Sequence, residues 1–466
     1  MLTILWFRRD LRRHDNPALA EAAARGPVIP AYVLDPSTPI GGAGRWWLHH
    51  SLAALERDLS PLWLGKGLPT EILPRLAREA GANAVVWTAG TTPREIQTDK
   101  DVQAALNHAG ITAKICPANL LFDATTINSG GGTPYKVFTA FWRTARTRAV
   151  AAPFPPPYVQ TLHPNGGLTL DELELLPQPN WAMGWENIWR PGERGAFTQM
   201  DAFIAAGLSQ YEAKRDYPIE PNISRLSAHL HWGELSVRLL WNRMHLVPNI
   251  SEDNRDKFLS EVGWREFAHY LMHHWPDTVE KNWNPSFDSY PWREGEEAEA
   301  DLAAWQRGMT GYPMVDAGMR ELWHTGFMHN RVRMVAASFL TKHLRIHWRR
   351  GVDWFSDTLV DADRAVNTAS WQWVAGCGAD AAPYFRIFNP LAQGAKYDPD
   401  GAYIRHWCPE LADIPTALLH SQDSTAPKQR SAQSRDQSYP LPIVAHDTAR
   451  VAALDGYQRL RIVSRS

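Results

Sequence analysis

The sequence predicts a parallel-sheet α/β domain followed by an all-helical one, and three observations carry that reading. Apolar strand-like runs alternate with helical patterns over the first quarter of the chain. A stretch rich in proline and glycine then breaks the alternation. From about residue 196 onward apolar residues recur at spacings of three and four, and no strand pattern competes. The 466 residues suffice for two or more domains. Their expected bounds are 1–125 for a Rossmann-like α/β domain, 126–195 for a long linker and 196–466 for the helical domain.

In the first domain strands are expected at Leu2–Phe7, Val28–Leu34, Ala84–Trp87 and Ile111–Ile115. Helices are expected at Pro17–Ala24, Trp46–Leu59, Pro69–Ala80 and Arg94–His108. No G-x-G-x-x-G follows the first strand, so the dinucleotide fingerprint is absent. The linker holds PFPPPY, HPNGG, LPQP and RPGERG, too much irregular chain for a tight connection. The helical domain follows with FTQMDAFIAAGL, SAHLHWGELSVRLLWNRM, RDKFLSEVGWREFAHYLMHHW, DAGMRELWHTG and NRVRMVAASFLTKHL. A polar stretch, KQRSAQSRDQS, precedes the closing segment, and there is no internal repeat.

Composition narrows the function. No run approaches 18 apolar residues, so no membrane span is expected. The N-terminus is apolar first and basic afterwards, the reverse of a secretory signal. Cys116, Cys377 and Cys408 lie far apart, which points to a reduced, cytoplasmic compartment and to no metal site. A net charge of −2 gives no general attraction to nucleic acid. Residues 331 to 350, however, carry Arg331, Arg333, Lys342, Arg345, Arg349 and Arg350 with no acid among them. Such a run suits phosphates, although a solvated helix face is its commoner meaning.

The most informative stretch is DADRAVNTASWQW at 361 to 373, running on to AAPYFRIFNP at 381 to 390. It brings together Asp361, Asp363, Asn367, Trp371 and Trp373. Oxidisable rings beside polar groups suit a redox cofactor, and a flavin foremost. On composition alone a tryptophan-rich core turn with polar caps fits equally well. The chain carries 22 Trp, many of them in the C-terminal half beside Arg, His and Asn, which favours the cofactor. Three weaker constellations accompany it. Asn222–Ser227 places small hydroxyl residues before a helical run, downstream of Tyr211, as a phosphate cradle or a plain cap. Glu261, Trp264 and Arg265 share a helical face, where a carboxyl against an indole gains proton affinity, or where an ordinary ion pair forms. Met328–Met334 supplies an Asn and two Arg that, with Asp361 and Asp363, suit a buried polar network or a charged surface helix.

Together with WFRRDLRRHDNPAL, SRLS, EVGW, TGYPMVDAGMR, MHNRVRM, WQW and PYFRIFNP, these motifs resemble the photolyase/cryptochrome family from about residue 3 to about residue 412. The resemblance is most similar to bacterial cyclobutane pyrimidine dimer (CPD) photolyases. It implies an all-α domain that binds FAD, with Tyr211, Ser224, Leu226 and Ser227 at the phosphates. Ile223 stands where family members often have Thr. Arg333 and Asp361 match an ion pair beside the flavin ring, Asp363 a second contacting acid and Asn367 the residue facing N5. Plant cryptochromes typically carry Asp at that last position, so Asn speaks for a photolyase. Trp371, Trp348 and Trp292 match an electron-transfer chain. Glu261, Trp264, Arg265, Asn330, Arg331, Met334 and Trp373 match the dimer-contacting region; Asn330 and Met334 stand where (6-4) enzymes usually have His. The implied reaction is light-driven electron transfer from reduced FAD to a flipped-out dimer in UV-damaged DNA, by a monomer. The alternative within the family is a blue-light receptor without repair. Glu95 matches a folate-contacting Glu, although Arg94 precedes it where a folate binder has Asn. GRWWLHHSL lacks the Arg-rich helix start of many deazaflavin binders. The antenna expected is therefore 5,10-methenyltetrahydrofolate rather than 8-hydroxy-5-deazaflavin.

Overall fold

The computed structural model describes residues 1–381 and 385–463. The chain forms two compact units, one of Met1–Ser209, Ser224–Pro276 and Val360–Ala365, the other of Gln210–Ile223, Asp277–Leu359 and Val366–Ser466.

The first unit is built on five parallel strands: β1 (Thr3–Phe7), β2 (Val28–Leu34), β3 (Trp63–Lys66), β4 (Ala84–Thr88) and β5 (Thr112–Cys116). Helices α1 (Pro17–Arg25), α2 (Gly42–Asp58), α3 (Pro69–Ala80) and α4 (Pro93–His108) connect them. The four expected strands and four expected helices are all present with ends shifted by a few residues. β3 was not expected: WLGK is four residues long and contains Gly65, too short to show a period. Strand order is β3-β2-β1-β4-β5, so the direction of winding reverses between β1 and β4. β1, β2 and β4 are buried along their whole length, as strands covered on both faces must be, and β5 alternates at the edge. Trp6, Trp63 and Trp87 are part of the core between sheet and helices, with Ile29, Leu73 and Val102.

Charged residues close behind β1 are buried, and each finds partners. Arg12 donates to the carbonyls of His14, Asp15 and Gly233. Asp10 accepts from the Arg8 amide and the Thr88 hydroxyl. Asp15 accepts from the Arg238 guanidinium at 2.5 Å and from the Ser236 hydroxyl. Asn16 caps α1, with Pro17 at its first position. Gly233 has φ 67°, and a Cβ there would overlap the Arg9 carbonyl oxygen, so this knot needs glycine. Within the same unit the irregular linker runs beside the start of β2, where the Val28 amide donates to Gln160 and its carbonyl accepts from Leu162.

The second unit is helical; among its described residues no strand occurs. Its main helices are Glu296–Gln306, Pro313–Thr325, Asn330–Ser338, Trp348–Thr358, most of Arg364–Ala375 and His446–Val463. A single π-turn, Phe339–His343, follows Asn330–Ser338. Buried Asp316 accepts from the Thr310 amide and hydroxyl, the Gly311 amide and the Tyr439 hydroxyl, which ties the C-terminal region to this unit.

Candidate active site

In the second unit the Arg364–Ala375 helix presents Asn367 and Trp371 one turn apart. Asn367 is buried, and its amide nitrogen donates to the Val352 carbonyl and the Ser356 hydroxyl, each at 3.2 Å. A carbonyl can only accept, so the amide is fixed in one orientation and its oxygen is left for an incoming donor. The Trp371 indole is buried between Phe355 and Trp305, at centroid distances of 5.0 and 6.2 Å. It lies directly on Gly351, one turn beyond Trp348 on the Trp348–Thr358 helix. Trp348 is fully buried and donates to Asn282 at 2.7 Å. The His347 ring stands between Trp348 and half-buried Trp292, 5.4 Å from one and 5.0 Å from the other. Trp373 is half-buried and anchored by its N–H to the Asp380 carbonyl.

The Asn330–Ser338 helix carries Asn330, Arg333 and Met334 at i, i+3 and i+4. Asn330 is exposed; Arg333 and Met334 are half-buried. Arg333 donates to the Met328 carbonyl, and Arg331 pairs with Asp216 at 2.6 Å while lying over Tyr397. Tyr211 is buried beneath Arg215. The basic run at 331 to 350 is not one solvated patch. Lys342 is buried in the π-turn, donates to the Ala375 carbonyl and lies over the Phe385 ring, and Arg350 pairs with Glu299. Sequence reading failed here because a π-turn rotates the face on which the later bases fall. Ala382, Pro383 and Tyr384 of the AAPYFRIFNP stretch lie outside the described residues.

In the first unit Glu261, Trp264 and Arg265 share the long Glu252–His274 helix. Trp264 is 36% exposed and stacks on Phe138 at 3.8 Å. Arg265 pairs with its neighbour Glu266 at 3.0 Å. Burial raises the Glu266 carboxyl despite Arg265 and His269, and Glu266 accepts the amides of Leu121 and Phe122. At 224 to 227 the expected hydroxyl cap is absent: Leu226 holds the N-cap position of Ser227–His231, and no side chain bonds there. Ser224 instead accepts the Leu226 amide in a local turn. The first-turn N–H groups have no side-chain cap, which fits a phosphate oxygen.

Asp361 and Asp363 are buried. Asp363 Oδ2 accepts from His269 Nε2 at 3.0 Å, with His231 Nδ1 at 3.8 Å, and Oδ1 accepts the Ala365 amide. Burial would raise this carboxyl, but His269 and His231 outweigh it and hold it well below the usual range. Beside it opens a small cleft lined by Arg8, Arg9, Thr88–Thr91, Glu95, Asn119, Leu230, His231, Arg265, His269 and Asp363. Arg8, Arg9 and Thr88–Thr91 lie at the carboxyl ends of β1 and β4, where the strand order reverses and open α/β sheets bind ligands. Glu95 closes the capping box of α4 with Thr92 and pairs with Arg9 at 3.3 Å.

Gly351, His347, His269 and His231 escaped the sequence reading. Gly351 follows two arginines and reads as a helix breaker; His231 and His269 sit in apolar helical runs, and His347 lies in a basic stretch just before a helix. The i, i+3 spacing of Trp348 and Gly351 was the one available signal.

Among the described residues no helix is long and apolar enough to cross a membrane, and no group of His, Cys, Asp or Glu could hold a metal ion. Residues 3–158 match the family model for DNA photolyase, and residues 258–459 match that for the FAD binding domain of DNA photolyase. The chain is 46% identical to a deoxyribodipyrimidine photo-lyase of Agrobacterium fabrum, covering 98% of each. It is 35% identical to cryptochrome-2 of Arabidopsis thaliana, covering 98% of this chain and 79% of that protein. Among solved structures, a bacterial class III photolyase from Agrobacterium tumefaciens is similar with a TM-score of 0.93 and 45% identity, covering 98% of this chain and 97% of the other.

Proposed function

This chain belongs to the photolyase/cryptochrome family, and from that premise we propose which of its residues perform the reaction. It is a deoxyribodipyrimidine photo-lyase: it binds FAD and repairs cyclobutane pyrimidine dimers in DNA under light. Bound FAD supplies the light-absorbing single-electron donor. The observation that carries the residue assignment is the pairing of Asn367 and Trp371 one turn apart on one helix. Asn367, with its N–H groups consumed, offers a carbonyl oxygen to the N5–H of a reduced flavin. That polarity suits a reduced ring, whereas an acid at this place would titrate against it. The donor set therefore fits the cofactor. Arg333, Asp361 and Asp363 are assigned to the polar edge of the ring, and Tyr211, Ser224, Leu226 and Ser227 to its phosphates.

Trp371, Trp348 and Trp292 pass single electrons inward to re-reduce the cofactor; Trp371 and Trp348 are buried and Trp292 is half-buried. Glu261, Trp264, Arg265, Asn330, Arg331, Met334 and Trp373 contact the lesion. Extruding it from the duplex costs roughly a few kcal/mol, least for an already distorted site. Trp264 and Trp373 supply aromatic surface for the extruded bases. Residues 1–125 act as the antenna-type domain, 126–195 as the linker and 196–466 as the FAD-binding and catalytic domain. The antenna is 5,10-methenyltetrahydrofolate, a reading that rests on the match of Glu95 to a folate-contacting Glu. The protein acts as a cytoplasmic monomer.

The test uses purified, chemically reduced protein and an oligonucleotide with one thymine dimer. Dimer loss only under blue light is expected. No loss in an FAD-replete sample would overturn the assignment and favour the blue-light receptor without repair.

A further inference from the structure

Asp363 is held from inside the switch-point cleft, and its ring partners there are two histidines with unequal roles. His231 Nδ1 lies 3.3 Å from Arg9 Nη1. A guanidinium only donates, so this nitrogen is an acceptor and the His231 proton sits on Nε2. Burial and the Arg9 charge both keep His231 neutral. His231 Nδ1 stands 3.8 Å from Asp363 Oδ2, a looser approach that still helps to hold the carboxyl down. The imidazole that donates to Oδ2 is that of His269, through Nε2 at 3.0 Å. His269 is 5% exposed and lines the cleft, and its other nitrogen, Nδ1, is buried with no partner. An imidazole whose Nε2 proton is committed to a carboxylate orients that carboxylate, and the carboxylate in turn fixes the proton on Nε2.

We propose that His269 is the positioning residue for Asp363, fixing the carboxylate in the orientation that grips the flavin. The proposal rests on the reading above that Asp363 contacts the flavin. Without the His269 imidazole, Asp363 would keep the Ala365 amide and the looser His231, but burial would be less fully offset and its carboxyl would rise. The other groups around it are Arg9 behind β1, His231 on the Ser227–His231 helix, Arg265 on the Glu252–His274 helix, Glu95 across the cleft and Asp361 on its own segment.

The test titrates apoprotein with FAD, following flavin fluorescence from about pH 5 to about pH 8, a range above the ordinary carboxylate pKa. In the parent protein affinity should be flat over that range as far as Asp363 is concerned. His269→Phe keeps the ring and removes the donor. It is expected to weaken binding roughly tenfold at neutral pH, the scale of a lost hydrogen bond to a charge, and further as pH falls. His269→Gln, which can still donate an N–H, should recover most of the affinity and the flat profile. Thermal melts of the apo variants separate misfolding from weakened binding. Should His269→Phe not fold, His269→Asn, too short to reach, carries the same expectation. Asp363→Asn separates the two claims. If it weakens FAD and His269→Phe does not, His269 is not the positioning residue. If Asp363→Asn itself leaves FAD affinity unchanged, the flavin contact of Asp363 fails instead.

Discussion

Gly351 decides where the Trp371 indole lies. A methyl group at 351 would overlap the six-membered ring of Trp371, which is buried and cannot swing aside. Gly351→Ala is therefore expected to cost about 1–3 kcal/mol of stability, the usual scale of overpacking, and to slow photoreduction by shifting the ring away from Trp348. A melt and a photoreduction time course check both; a normal time course in a destabilised protein would separate packing from electron transfer. Trp371→Phe should slow photoreduction severalfold or more while leaving repair by pre-reduced enzyme mostly intact, and equal loss of both would remove Trp371 from the chain. Glu261→Ala should lower repair yield with FAD still bound; an unchanged yield would take Glu261 out of the reaction. At this scale the sequence marked the residues proposed for the chemistry and hid those that hold them. Asn367 and Trp371 stand out as types, but Gly351 matters through an absent side chain, and His269 through a partner 94 positions away.

Among the elements, α4 shows a cap that also carries charge. Glu95 accepts the amides of Thr91 and Thr92 and pairs with Arg9. Burial alone would raise its carboxyl; Arg9, Arg8 and the two amides together bring it down to about 2. A group depressed in the folded state stabilises above its unfolded value and loses that contribution as pH falls through the folded one. The window here runs from 4.5 down to about 2. Glu95→Gln can still complete a capping box, so it isolates the charge. It is expected to remove on the order of 3 kcal/mol near neutral pH and to flatten the acid limb of a urea-unfolding series. Glu95 stood out in the sequence only as a folate contact and not as this cap, and its coupling to Arg9 was beyond reach, because the strand order that joins β1 to β4 cannot be read from periodicity. The same limit hid β3 and the π-turn that buries Lys342. Central strands β1, β2 and β4, apolar throughout, were plain.

For the molecule as a whole, compactness and chain order part company. The first unit draws on Met1–Ser209, Ser224–Pro276 and Val360–Ala365. A fragment ending at Ser209 contains all five strands yet lacks Gly233, Ser236 and Arg238, which satisfy Arg12 and Asp15. Buried charges without partners are costly, so this fragment is expected to melt non-cooperatively or aggregate, while the full chain shows a sharp transition; circular dichroism on both decides it.

That dependence has a timetable. Arg12 and Asp15 meet partners 221 residues further along. At roughly 5–20 residues per second on the ribosome, the interval between their synthesis and the arrival of those partners is on the order of 10–40 seconds. During it β1 and its basic, acidic tail emerge without the groups that make their burial tolerable. The newborn N-terminus must stay hydrated or be sheltered by a chaperone until the 233–238 segment leaves the tunnel, so codons that slow translation between these segments would lengthen its exposure.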